Sequence, residues 1–397
     1  MEQTLQFSKR KVLQGSFLVG GTAIGAGMLA LPIASANAGF LPAICLYFVC
    51  WIFSMITGLL MLEVSMTMAK DANLVSMSKR YLGRVGKGAA WCLYLFLFYS
   101  LDVAYVTGGG NMITSMIMPS APPIWGMSIF ALIFGTIVTL GAHAVNRFNV
   151  VFMFGLVLSY FVFIGVGIDK INPEYLTRVD YKSAALALPI IFTSFSYQGV
   201  IPSLNSFLGK NRKMARLSII LGSTIPFVVY IIWDMMIKGI VPLEGANGLL
   251  YAKEHGIDAI TPLKHFLPHA PLTTIGRFFA FFAIATSFLG VTLGLCDFLA
   301  DGLNVKKKGM NNIFLSILVF MPPVLIGALD PSIFFSALKY AGGIGCVLLL
   351  GMLPTLMVWV GRYVKRDLPE KGEVVGGKVL FVILILFMIF EVGLTLS

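Results

Sequence analysis

Long uninterrupted apolar runs constrain this chain more than any other feature. Eleven stretches stand out: 12–36, 40–68, 88–118, 124–144, 149–169, 184–208, 217–239, 274–300, 312–330, 332–360 and 377–396. Each has about the twenty apolar residues that a helix needs to cross a bilayer. Lipid offers no partner to backbone amides and carbonyls, so only helices and closed barrels span it. Barrel strands would read as roughly ten-residue segments of alternating polarity; these runs are continuous. Only 12% of the residues are charged and 58% are hydrophobic, against roughly 25% charged in a soluble domain. The expected fold class is therefore an all-α membrane protein, one transmembrane domain over 1–397 with eleven transmembrane helices.

The net charge of +11 does not point to nucleic acid, because the charges sit in short loops between the apolar runs. With the N-terminus placed in the cytoplasm, 21 of the 29 basic residues fall on inner segments, and the loop GKNRKMAR (209–216) holds four of them with no acid. That is the bias of cytoplasmic loops, and eleven spans then leave the C-terminus outside. Residues 1–10 resemble the start of a signal peptide, but the apolar run after them is too long, so they lead into a retained first span. The five cysteines form no CxxC pair and read as small buried hydrophobes. The longest polar connection, 240–273, contains Pro242, Pro262, Pro268 and Pro271 and reads as a surface segment with a short helix.

The first run carries its own helix breakers. Residues 20–32 read GGTAIGAGMLALP, with four glycines in the first eight positions and a closing proline. Glycine costs about 1 kcal/mol relative to alanine in a helix interior, and proline about 3. GAGMLA (25–30) fits a dinucleotide fingerprint, but that motif needs a preceding strand and an acid about 20 residues on, and neither is present. Two readings stay open: Gly21 and Gly25 as a small-residue seat for a neighbouring helix, or a helix unwound over 22–27. TSFSYQGVIP (193–202) favours the second, since it repeats the order threonine, glycine, proline in the sixth run. Five spans separate the two segments, so they run in opposite directions. That is the pattern of inverted five-helix repeats whose broken helices meet at the midplane: about 12–169 and 184–360, with 377–396 as an extra helix.

Breaks of this kind free amides for an anion and carbonyls for a cation, a combination that suits a zwitterion. A bound carboxylate would meet the amides of Gly25, Ala26 and Gly27; an ammonium would meet carbonyls near Thr22 and Ala23 and those of the sixth span. Phe192, Thr193, Ser194, Phe195, Ser196, Tyr197 and Gln198 form an aromatic and hydroxyl cluster fit to line a pocket for an aromatic side chain with a polar tip. The competing reading for each aromatic is plain core or lipid contact, since phenylalanine alone occurs 32 times.

Acids inside apolar runs are functional candidates by default. Asp102 lies deep in the third run, three residues from Tyr105 and on the same helix face. It is a proton-coupling candidate, as is Glu63. Glu63 and Asp234 lie near the ends of their runs and are expected at the membrane interface. Asp297 and Asp301 are expected to meet basic inner loops, and His143 to end the fourth run. The four histidines, 143, 255, 265 and 269, show no HExxH spacing, and no Walker motif is present; neither an enzyme nor a primary pump is expected.

GTAIGAGMLALP (21–32), IFTSFSYQGVIPSL (191–204) and ATSFLGVTLGLCDFLADGL (285–303) resemble the hydroxy/aromatic amino acid permease family, and its tyrosine-specific members most. KRYLGRVG (79–86), AYVTGGG (104–110) and NRF (146–148) extend the resemblance along the chain. It implies an eleven-helix transporter of LeuT-type fold in the amino acid–polyamine–organocation superfamily, with helices 1 and 6 broken. It further implies secondary active import of aromatic amino acids, tyrosine first, across a bacterial inner membrane by proton symport. The C-terminus would then be periplasmic. Tryptophan, phenylalanine and small hydroxy amino acids are the alternative substrates. Tyr105, Ser287 and Phe288 join the substrate-binding candidates through this resemblance. Asp102 and Asp234 depart from it, standing where uncharged residues are expected. In sodium-coupled members of the fold, hydroxyls on span 8 help to hold the ion, which makes Thr286 and Ser287 the possible sodium site. No cofactor is expected beyond the coupling ion; the partners are the lipid bilayer and a small-molecule substrate.

Overall fold

The computed structural model describes residues 2–69, 72–267, 271–307, 310–369 and 372–397, and the side chains of all of these but 2–8, 310 and 312. Lys70, Pro268, His269, Lys308 and Lys371 therefore lie outside the described residues. Helices α1 (Glu2–Ala23) and α2 (Gly27–Ala34) form one path bent by 56° at residues 24–26. α3 (Phe40–Met66), α4 (Leu74–Ile117), α5 (Pro123–Thr139) and α6 (Ala142–Gly167) follow. A single turn, α7 (Tyr181–Ala184), leads to a second interrupted path, α8 (Leu188–Ser194) and α9 (Ile201–Phe207). Next come α10 (Arg212–Ile240), the short α11 (Leu249–Glu254) and α12 (Leu263–Phe266), α13 (Leu272–Gly302) and α14 (Met310–Leu329). The path Phe334–Val364 joins α15 (Phe334–Tyr340), a π-helical segment Ala341–Met352, α16 (Leu353–Trp359) and a π-helical end; α17 (Gly377–Leu396) closes the chain.

Among the described residues, eight helical segments are long and apolar enough to cross a membrane. The bent pair α1–α2 makes a ninth, and Pro123–Thr139 and Ile313–Leu329 are shorter apolar helices. Their positions follow the apolar runs of the sequence, with two shifts at glycines. Gly83, at φ +72°, kinks α4, so the long helix resumes at 84 rather than 88. Gly141, at φ +94°, turns the chain between α5 and α6. His143 therefore opens α6, exposed, instead of ending the fourth span. Both turns need a left-handed backbone that glycine adopts without steric cost. Elsewhere glycine buys close approach: a Cβ at Gly20 would stand 2.9 Å from Gly222 O, where α1 packs on α10.

Buried ion pairs hold the two ends of the helix bundle. Near the end where α1 begins, Glu63 of α3 accepts a fork from Arg362, Nε–Oε1 2.9 Å and Nη2–Oε2 2.6 Å. Glu373 N donates to Glu63 Oε2, and the Glu373 carboxylate takes Arg212 of α10. At the opposite end, Lys238 and Asp234 of α10 pair at 2.9 Å, and Lys238 Nζ donates to Ser35 Oγ and Gly39 O just after α2. Glu63 and Asp234 thus lie toward the ends of the bundle and are buried in protein, at 4% and 0% exposure. A cation within reach is what lets an acid leave water. Asp297 pairs with Lys307, and Asp301 is exposed.

Removing one member of such a pair strands the other charge, which costs about 3–5 kcal/mol, whereas an apolar replacement of both is close to neutral. Arg362→Met is expected to lower unfolding stability in detergent by that amount, and Glu63→Met with Arg362→Met to recover most of it. A single variant as stable as the parent would contradict the pairing.

Candidate functional site

The two interrupted paths meet side by side. In the first break, Ile24 N still bonds Gly20 O at 3.0 Å, while Met28 N and Leu29 N turn back to Gly25 O and Ala26 O, both at 3.1 Å. Among the described residues the Gly25 and Gly27 amides find no backbone acceptor. Ala26 N donates to Ser287 Oγ of α13 at 3.0 Å. In the second break, Phe195 N and Ser196 N cap the end of α8, and a single 3-10 turn, Gln198–Val200, starts the second half. Tyr197 OH donates to Ser54 O, and Gln198 Nε2 to Thr57 Oγ1, so both anchor this loop to α3.

A residue that sequence reasoning missed joins the breaks. The hydroxyl of Tyr230, in the middle of α10, lies 2.6 Å from Ala23 O and 2.7 Å from Ser194 O. These carbonyls end the first half of each interrupted helix. A hydroxyl has one proton to donate, so it serves one carbonyl at a time and leaves the other short of a donor. Tyr230 is fully buried, with the Phe195 ring edge-on at 5.0 Å. Nothing in the apolar run 217–239 marks Tyr230 as different from its neighbours.

Glycine lets these elements close up. A Cβ at Gly25 would collide with Ser287 Oγ, and one at Gly27 would stand 2.9 Å from Ser194 Oγ. Gly21 makes only an ordinary 3.5 Å contact with Met153, so the expected Gly21–Gly25 seat is not formed as a pair: the tight approaches are at Gly20, Gly25 and Gly27. The helix is interrupted at 24–26, a shorter stretch than the expected 22–27.

A cavity of about 720 Å³ begins at the breaks. Of the candidates, Thr22, Tyr105, Tyr197, Thr286 and Ser287 line it, together with Ser196, Phe98 and Asn149. No charged side chain is among its lining residues. Ala23, Gly25, Ala26, Gly27 and Ser194 sit in or beside the breaks as buried backbone. Phe192, against Phe53, and Phe288, against Phe130, are core side chains away from the cavity. Phe195 stands between Tyr47 and Tyr230. Asp102 is buried one turn from Tyr105; its Oδ1 accepts from Thr292 Oγ1 at 2.7 Å and its Oδ2 has no partner. Thr286 Oγ1 bonds its own helix, at Phe282 O and Ala283 O.

Access is one-sided. The cavity runs along Phe17 and Leu18 of α1, Met153 of α6 and Gly294 of α13, toward the end where α1 begins. On the other side every residue of α2 is buried. Lys238, Lys253 and Arg178 bind backbone or hydroxyl oxygens at 34–39 there and hold that side shut. Glu63 lies with the ion pairs at the open end and does not line the cavity.

The sequence profile of the tryptophan/tyrosine permease family matches residues 8–395. The chain belongs to this family. It is 30% identical to the tyrosine-specific transport system 1 of Haemophilus influenzae, over 94% of each chain. It is 28% identical to the tryptophan-specific transport protein of the same organism, over 98% of this chain and 96% of the relative. The fold is similar to that of the Eremococcus coleocola manganese transporter, with a TM-score of 0.64 at 12% identity over 96% of this chain and 84% of that one. This permease is thus a multi-pass membrane transporter of an aromatic amino acid family with bacterial relatives.

Loss of a buried hydrogen bond costs about 0.5–1.5 kcal/mol. Tyr230→Phe keeps the ring and is expected to lower kcat/KM for aromatic amino acid uptake by up to about tenfold, with normal amounts of protein in the membrane. Unchanged uptake would show that the hydroxyl does not matter to the site.

Proposed function

We propose that the protein imports aromatic amino acids, tyrosine first, by proton symport across a bacterial inner membrane. It works by alternating access over eleven spans, with the N-terminus cytoplasmic and the C-terminus periplasmic. The observation that carries this reading is the meeting of two helix breaks, joined by one hydroxyl, at the closed end of a cavity with no charged lining residue. Such a site suits a zwitterion. The ammonium supplies the donor that Ala23 O or Ser194 O lacks, and the carboxylate takes the free Gly25 and Gly27 amides, with Ala26 N joining as Ser287 swings away. Tyr105, Tyr197 and Phe98 offer faces and edges to an aromatic ring, and Ser196, Thr286 and Asn149 offer partners to a phenol. Breaks at corresponding places in 12–169 and 184–360 support LeuT-type inverted five-helix repeats, with 377–396 as the extra helix.

The open end carries the basic loops, which supports an inward-facing state. Proton coupling is favoured over sodium because a buried acid, Asp102, stands one turn from the cavity-lining Tyr105, while the candidate sodium ligands Thr286 and Ser287 bring hydroxyls and no carboxylate. Asp102, with one carboxylate oxygen free beside Tyr105, is the coupling candidate nearest the cavity; Glu63 is less suited, being clamped by Arg362. Tryptophan is the second substrate, because tryptophan-specific relatives are nearly as similar as the tyrosine-specific ones, at 28% against 30% identity.

Uptake of labelled tyrosine into proteoliposomes under a proton gradient, a sodium gradient or neither tests this reading. Accumulation is expected under the proton gradient alone, with tryptophan and phenylalanine competing only in excess. Accumulation driven by sodium would overturn the coupling and turn attention to Thr286 and Ser287. Preference for tryptophan would overturn the substrate, and no concentrative uptake under any gradient would overturn the transport reading.

A further inference from the structure

Among the described residues five acids are buried, and four of them have a partner. Glu63 has Arg362, Asp234 has Lys238, Glu373 has Arg212, and Asp102 has the Thr292 hydroxyl. The fifth, Glu391 of α17, is at 0% exposure, and neither carboxyl oxygen has a hydrogen-bond partner among the described residues. No described lysine, arginine or histidine pairs with it, and the titratable neighbour facing it is the Cys50 thiol of α3. The other thiol on the neighbouring path, Cys346, is turned toward Ser196. Such surroundings give an ionised carboxylate neither water nor a partner.

Its position on α17 links it to the cavity. Met388, Glu391 and Thr395, at i, i+3 and i+7, share one helix face. Met388 abuts Gly351 and Thr395 abuts Gly343, so this face presses on the π-helical segment Ala341–Met352 at two places that bracket Glu391. The far side of the same segment reaches the site. Gly342 abuts Pro189 O of α8, Gly345 abuts Leu97, and Leu350 and Leu97 both line the cavity. π-helical turns inside helices are frequent at functional sites. A buried acid with no bond to make adds nothing to packing that an apolar side chain of like size would not supply. Its worth lies in a second conformation where water reaches it.

We propose that Glu391 is a protonation site of the transport cycle. It holds its proton while the π segment is packed as here and releases it when that segment moves with the cavity. On release the carboxyl O–H bond breaks, the proton passes to water admitted at the α17 interface, and the carboxylate stays hydrated until the interface closes. A group whose proton affinity differs between two conformations makes the proton gradient bias them. The inference rests on the reading of proton-driven transport given above.

The test is Glu391→Gln, which is permanently neutral and nearly isosteric, compared with the parent and Asp102→Asn in proteoliposomes. The expected result is tyrosine counterflow within about twofold of the parent, while accumulation driven by a pH gradient falls to the level without a gradient. Full proton-driven accumulation by Glu391→Gln would overturn the proposal, and so would equal loss of counterflow, which would mark a packing role. The infrared difference spectrum of the purified protein on adding tyrosine reads the carboxyl group without transport. A carboxylic C=O band is expected in the parent and in Asp102→Asn but not in Glu391→Gln, and the same band in all three would overturn the assignment. A parent that fails to accumulate tyrosine under a proton gradient yet shows the Glu391 band would overturn the proposed function and leave the protonation site standing.

Discussion

The hydroxyl of Tyr230 is the interaction on which the rest of this structure depends. A helix interrupted inside a bilayer leaves amides and carbonyls that lipid cannot satisfy, at several kcal/mol each. Here two such ends are brought together, and one hydroxyl from a third helix reaches both. Ser287 does the corresponding work for the amide of Ala26 from a fourth helix. The breaks are therefore held by protein, with one donor shared between two carbonyls; in the proposed function an ammonium makes up that shortfall. The glycines at 25 and 27 are what allow Ser287 and Ser194 so close to the backbone.

Charge is arranged around this centre and kept out of it. The fork of Arg362 on Glu63 and the pair of Lys238 with Asp234 sit toward opposite ends of the bundle, where each ties several helices together. Between them, the cavity is lined by aromatic rings, hydroxyls, one amide and apolar groups. Backbone dipoles can bind both ends of a zwitterion there without a competing fixed charge. At one end Lys238 clasps the residues that follow α2, and at the other the cavity runs out beside α1.

The helices and their breaks were legible because bilayers demand long apolar runs and because glycine and proline mark where those runs fail. The partners were not. Tyr230 stands among the apolar residues of α10, and no local pattern gives its direction. Membrane helices are apolar on all sides, so periodicity does not separate a cavity-lining aromatic such as Tyr197 from core aromatics such as Phe192 and Phe288. Arg362 is 299 residues from Glu63, and nothing in either stretch announces the pair. The Asp234 pair was within reach, because Lys238 lies four residues on and faces the same way on a helix. Glu391 was also there to be read as a lone acid in the last apolar run, but that it has no partner is known only from the packing.

The most direct test of the central claim is a structure of the protein loaded with tyrosine. The ammonium is expected between Ala23 O and Ser194 O, with the Tyr230 hydroxyl retained on one of them, and the carboxylate at the amides of 25–27. Tyrosine bound elsewhere in the cavity, with both carbonyls still facing only Tyr230, would contradict it. So would continuous helix through 24–26 and 195–197.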